Sequence, residues 1–348
     1  MLVWINHKNM TTNQLTKKQR IDYIDALRGF TMILVVCVHT ATFSRVDIFP
    51  YSKFFELFRM PLFFFISGFI LYKKERIWNL SNSINFLSKK FLVQIIPTAI
   101  FMSIHLFVFS KSRIDVKLNG YWFTVALFEF FVVYVLFNFL IRKQKVCNVA
   151  LLICALFLFR FSFSDWCRDN YPFIYNYMVS YSEYFIYFII GNIVKKHFDK
   201  VKLIFNNNPI MMIGVVLMFI GAIFFLKGYC SYLIIELTLS TIGIFSIFYF
   251  FMKNGEYMEN SRIGKALQFI GRRTLDVYLL HYFFVNNSIA WIKTFNFNSP
   301  TIIFIISIAT SLVIIGICLL VSKFLRTNDL LGKILFGAKL PQKASQNS

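Results

Sequence analysis

The sequence predicts an all-α polytopic integral membrane protein of about ten transmembrane helices, with both termini cytoplasmic. Of 348 residues, 57% are hydrophobic and only 15% charged, and phenylalanine alone occurs 45 times. The apolar residues gather in blocks near the length that crosses about 30 Å of hydrocarbon at about 1.5 Å rise per residue. The cations are unevenly placed. With the N-terminus inside, the inner segments hold most of the 37 lysines and arginines, among them Lys17, Lys18, Arg20, Lys73, Lys74, Arg76, Lys89, Lys90, Arg142, Lys143, Lys195, Lys196, Arg272 and Arg273. That is the positive-inside pattern. It accounts for the net charge of +21 with no nucleic acid as partner, and leaves membrane lipid headgroups or an anionic co-substrate for the cations to meet.

The apolar blocks run over 23–43, 54–72, 87–109, 121–141, 147–163, 180–194, 209–226, 231–252, 272–292 and 300–322. The first follows a polar leader and lacks a small-residue cleavage site, so it reads as a span rather than a signal peptide. The fifth and sixth are the weakest, being short and separated by the aromatic loop FSFSDWCRDNYPFIYNY. No soluble domain, low-complexity tract or internal repeat stands out, so 1–348 reads as one transmembrane domain, with 1–22 as cytoplasmic leader and 325–348 as cytoplasmic tail. The cysteines show no metal-binding spacing, and the expectation for a metal is none. Cys167 and Cys230 both fall on the outer side, where free thiols are favoured over a pair.

The first block, ALRGFTMILVVCVHTATF, carries the main functional signal. Arg28 and His39 are eleven residues apart, and eleven steps of about 100° return a helix to within about 20° of its start. Both side chains therefore share one face, about 16 Å apart along the axis, roughly half a bilayer core. A guanidinium near one surface with an imidazole deep on the same face is costly in lipid, and such groups normally face an interior cavity. The bland alternative is a snorkelling arginine and a packed histidine.

IDYIDALRGFTMILVVCVH resembles the opening helix of the membrane-bound acyltransferase-3 family, whose signature is an Arg, ten residues, then a His. Here these are Arg28 and His39, with Asp25 before and Gly29 after. FRMPLFFFISGFIL is similar to the family's second signature, with Met60, Pro61, Ser67, Gly68 and Phe69 in register. TLDVYLLHYF resembles a Ser/Thr-x-x-x-Tyr-Leu-x-His pattern through Thr274, Tyr278 and His281, and YWFTVALF resembles the Trp-Phe opening of the fourth span. One departure stands out. Relatives often carry an arginine-rich run before the third span's proline, where this chain reads KKFLVQIIP, keeping Lys90 but placing Gln94 where an Arg is usual.

The resemblance implies transfer of an acyl group, most often acetyl, from cytoplasmic acyl-CoA (acetyl-CoA first among them) as co-substrate to a hydroxyl of a cell-surface or lipid-linked carbohydrate, at the inner or plasma membrane of the cell. His39 is then the general base, since imidazole best accepts a proton near neutral pH. Arg28 is placed to hold a CoA phosphate or the thioester carbonyl, and Asp25, one turn earlier, to orient it. Lys90 is a further contact to the co-substrate. The expected mode is direct transfer, and trapped acyl label on His39 would instead mark an acyl-histidine intermediate.

Ser67 and Gly68 read as helix packing or as the wall of an acyl channel. Tyr278 and His281, i and i+3, share a face and could line the cavity together. Arg272 and Asp276 read as an i,i+4 pair at the membrane edge, and His105 as packing. Glu129, Glu183 and Glu236 are acids in or near spans, costly unless paired or neutral, with Glu129 the first to test. A transporter or flippase of a glycan precursor is the rival reading, but such folds show related halves with matching Gly- or Pro-interrupted spans, and the seven prolines offer no such pairing.

Overall fold

Long runs of Phe, Ile, Leu and Val with few helix breakers favour helix wherever the backbone must satisfy its own hydrogen bonds in lipid. The computed structural model describes residues 21–337 apart from 75, 110–119, 142, 163–164, 173–174, 176–180, 206–207, 227–232 and 296–298. The described residues are helical, with no strand among them.

In chain order the helices are α1 (Asp22–Phe43), α2 (Tyr51–Glu56), α3 (Arg59–Leu71), α4 (Leu80–Val108), α5 (Trp122–Leu140), α6 (Gln144–Ser162), α7 (Asp165–Asn170), α8 (Phe185–Lys196) and α9 (Phe198–Phe205). There follow α10 (Asn208–Leu226), α11 (Leu233–Lys253), α12 (Gly255–Asn260), α13 (Arg262–Arg272), α14 (Thr274–Leu280), α15 (Pro300–Leu325) and α16 (Asp329–Phe336). Among the described residues, seven stretches are long and apolar enough to cross a membrane: α1, α2 with α3, α4, α5, α6, α11 and α15. The chain is a multi-pass membrane protein. Its outward surface agrees, because large apolar side chains such as Phe107 (86% exposed) and Phe324 (74%) point away from the bundle, as lipid-facing groups do.

The other three predicted blocks fold differently. The sixth forms a 3₁₀ turn, Ser182–Tyr184, and then the 12-residue α8. The seventh is helical throughout as α10. The ninth is not one helix. It breaks at Arg273 (φ −120°, ψ 24°), resumes as α14, and passes into a 3₁₀ turn at His281–Phe283. Side chains, described below, satisfy the backbone at both irregularities. In α4 the turn Phe91–Ile95 widens to a π-helix just before Pro97, whose missing N–H and ring displace the normal i−4 bond.

Two close crossings set the core. Gly29 of α1 meets Gly271 of α13 so tightly that a Cβ on either would overlap a backbone carbonyl, of Leu267 or of Asp25. Gly68 of α3 meets Gly191 of α8 in the same way, across the carbonyls of Phe188 and Phe65. With no hydrophobic drive between helices in lipid, such small-residue contacts are what let apolar helices associate. Rings then fill the volume: Phe64, Phe65, Phe69, Phe185, Phe188 and Phe248 are fully buried.

Cys37, Cys147, Cys154 and Cys318 are free thiols. Cys230 and the side chain of Cys167 lie outside the described residues, as do Lys17, Lys18, Arg20 and Arg142.

Candidate active site

The shared face of α1 is used at both ends. Toward its C-terminal end, Nδ1 of the half-buried His39 lies 3.0 Å from Nε2 of His281, with the two rings near-parallel at 8° and 5.2 Å between centroids. His281 is wholly buried where α14 passes into its 3₁₀ turn, and its Nδ1 faces the carbonyl oxygens of Val277 (3.0 Å) and Tyr278 (2.8 Å). Carbonyls only accept, so Nδ1 of His281 carries the proton and its Nε2 is the acceptor of a neutral ring. Nδ1 of His39 must then donate to it, which leaves Nε2 of His39 holding a lone pair. Backbone, second imidazole and first imidazole thus form one polarised chain ending in a proton acceptor.

Three tyrosines hold His281 in place. Tyr121 donates its hydroxyl proton to the Leu279 carbonyl at 2.9 Å. Tyr278 and Tyr282 both donate to the Gly120 carbonyl, at 3.0 and 2.9 Å, and the Phe123 N–H donates to the Tyr278 hydroxyl. These bonds stitch α14 to the start of α5. The Tyr278 hydroxyl is therefore spent on backbone, and Tyr282, which the sequence did not single out, is the ring packed on both histidines, 4.0 Å from His281 and 5.3 Å from His39. His105 is buried among the rings of Phe109, Tyr282 and Phe283.

At the other end of the face, Arg28 donates through Nη2 to Thr274 Oγ1 at 2.6 Å and lies 3.8 Å from Asp25, so the expected i,i+3 pair forms loosely. Asp25 also accepts from Arg272 Nε (3.2 Å), and Arg272 Nη2 reaches Asp22 (3.1 Å) and Gln268. The Arg272–Asp276 pair does not form. The helix break at Arg273 rotates Asp276 away from Arg272 and toward α15, where Arg326 meets it at 2.8 and 3.0 Å and Ser322 donates to it.

The other sequence-derived candidates separate. Lys90 lays its ammonium over the Phe131 ring at 4.5 Å. Ser67 donates to the Phe63 carbonyl one turn back, and Gly68 makes the crossing described above. Glu129 is half-buried on α5. Glu183 and Glu236, however, come together.

They line, with Glu56, Lys53, Tyr184 and Tyr187, a cavity of about 210 Å³ at the end of the bundle where α3, α8 and α11 begin. Sequence reasoning missed that grouping because the three acids come from distant segments. A larger open cavity, about 640 Å³, sits at the opposite end of α3, where α4 begins. Lys73, Lys74, Arg76 and Lys89 line it together with Trp78 and Phe86. Arg76 stacks over both rings, at 5.2 and 5.1 Å; burial lowers its pKa from the usual arginine value.

Membrane-length helices around a polarised imidazole pair, with a cavity at each end of α3, define a multi-pass membrane protein with a proton-accepting centre in its interior. The chain belongs to the acyltransferase 3 family: the profile described as an acyltransferase domain matches residues 21–321. It is therefore an acyltransferase. No curated protein and no solved structure matches the chain.

Proposed function

We propose that this protein transfers an acyl group, acetyl first among the candidates, from acyl-CoA to a hydroxyl of a cell-surface or lipid-linked carbohydrate, with His39 as general base. The observation that carries this reading is the hydrogen-bond chain that leaves Nε2 of His39 unprotonated beside a cavity-flanked core. The alcohol proton passes to that nitrogen as its oxygen attacks the thioester carbonyl, and the imidazolium returns it to the departing thiolate.

The basic cavity suits the donor. Four cations beside an indole match the phosphates and adenine of a nucleotide, and an extended pantetheine arm carries the thioester from there toward His39. The positive-inside count supports a cytoplasmic side for that cavity and both termini, and the reading sets the protein in the inner or plasma membrane. Arg28 opens on the same side, and Lys89 rather than Lys90 lines the donor cavity. The acidic, tyrosine-lined cavity then faces outward, where carboxylates accept hydrogen bonds from sugar hydroxyls and rings stack on sugar faces. A count of about ten spans follows if α8, α10 and the broken ninth block complete crossings with their flanking turns.

Mass spectrometry of surface glycans from cells with and without this gene tests the reading. The expected result is an acyl mass increment lost on deletion, restored by wild type and not by His39→Ala, whose turnover falls by about 10²–10⁴-fold. Unchanged glycans, or full rescue by His39→Ala, would refute it.

A further inference from the structure

One half-buried cation has donors that no other group meets among the described residues. Arg59 opens α3, and its Nε and Nη1 are shielded from solvent with no hydrogen-bond partner among the described residues. Its electrostatic neighbours are Glu56, Tyr184, Tyr282 and Cys37, and its charge is in turn felt by His39. None of them neutralises it. Glu56 is already paired with Lys53 at 2.9 Å on the exposed rim, and the Tyr282 hydroxyl is donated to Gly120. A guanidinium keeps its charge under all biological conditions, so one whose Nε and Nη1 are shielded and unbonded costs stability and persists when it meets an anion during function. Leu57 and Pro61, which flank Arg59 in sequence, line the acidic cavity together with Tyr184, so the guanidinium stands between that cavity and the histidine pair.

We propose that Arg59 is the oxyanion-binding group of the acyl transfer, a catalytic role that rests on the function proposed above. As the acceptor oxygen bonds to the thioester carbon, its proton goes to Nε2 of His39 and the carbonyl π electrons move to oxygen. The resulting alkoxide accepts hydrogen bonds from the Nε and Nη1 protons of Arg59. Collapse restores the C=O bond and breaks the C–S bond, and the CoA thiolate takes the proton back from the imidazolium, giving ester and free CoA thiol. Donors already in place and already dry need no reorganisation when the charge develops. Arg28, engaged with Thr274 and Asp25 about 16 Å along the axis from His39, is left to the donor's polar part.

The test uses the purified full chain in lipid nanodiscs, with radiolabelled acetyl-CoA as donor and an envelope glycan fraction from the deletion strain as acceptor. Arg59→Gln is expected to lower kcat by about 10²–10³-fold with KM for acetyl-CoA changed less than about threefold. Its Tm should hold or rise, because the variant removes an unpaired buried charge. Arg59→Lys, keeping the charge but losing the fork, should fall between Gln and wild type. An unchanged kcat, a raised KM at constant kcat, or activity lost in step with a Tm drop of several degrees would each overturn the assignment. Absence of labelled product from wild type would instead overturn the function proposed above, so the two failures are separable.

Discussion

The proton-accepting end of the chain depends on one tautomer, and that tautomer is imposed by the two backbone carbonyls beside Nδ1 of His281. Replacing His281 by Leu removes the acceptor that fixes Nδ1–H on His39, so the ring populates both tautomers and turns freely. His281→Leu should lower kcat by about 10²-fold with little change in KM, while His281→Gln, whose amide oxygen reaches roughly where Nε2 was, should lose no more than about tenfold. Steady-state kinetics of the two variants decides it: equal losses for Leu and Gln would mean that His281 is packing. This scale was only partly legible in the sequence. Helical periodicity alone put Arg28 and His39 on one face, because register survives any packing. That His39 bonds His281 depends on where α14 lands against α1, which no local pattern encodes. Arg59 drew no notice in the sequence, because an arginine with shielded, unbonded donors looks there like any other at the edge of a span.

Between elements, Asp276 ties to Arg326, which anchors α14 to the end of α15 through two nitrogens, Nη2 and Nε, with Ser322 as a third donor. Asp276 is 3% exposed, so its loss strands a guanidinium that is itself mostly covered. Asp276→Ala should cost about 3 kcal/mol, read as a fall in Tm of the purified protein, with His281 displaced and activity falling alongside. The double variant Asp276→Leu with Arg326→Met should recover a large share of that stability, since replacing both charges leaves neither unpaired. A double variant no more stable than Asp276→Ala would refute this account. The sequence suggested Arg272 as the partner, because i,i+4 spacing on a continuous helix is the default. The block 272–292 has the length of one span, and no Gly or Pro within it marks the break at Arg273, which is tolerated because Thr274, Asp276 and His281 bond the irregular segment to α1, α15 and its own carbonyls. The long uniform blocks, by contrast, were readable as helices because in lipid the backbone has no other way to pair.

Across the whole molecule the charge is asymmetric along α3, with a cavity of lysines and an arginine at one end and one holding three glutamates at the other. If the positive inner rim only orients the protein during insertion, its cations have no part in turnover once the chain is in place. If the basic cavity holds the donor nucleotide, they contribute to KM and do so through the phosphates. Exposed charge-assisted contacts are worth about 1 kcal/mol each after solvent screening, so reversing Lys74, Arg76 and Lys89 to Glu together should raise KM for acetyl-CoA by about ten- to a hundredfold, with kcat nearly kept. Added salt should raise the wild-type KM and lower that of the variant, because it screens an attraction in one and a repulsion in the other. The deciding comparison is a truncated thioester that lacks the nucleotide, acetyl-N-acetylcysteamine, saturating in neither protein. Wild type and triple variant should use it with equal kcat/KM, because the part of the donor that met the cavity is gone. An equal defect with both donors would place the damage in the fold or in membrane insertion, and the basic cavity would then be a product of topology alone.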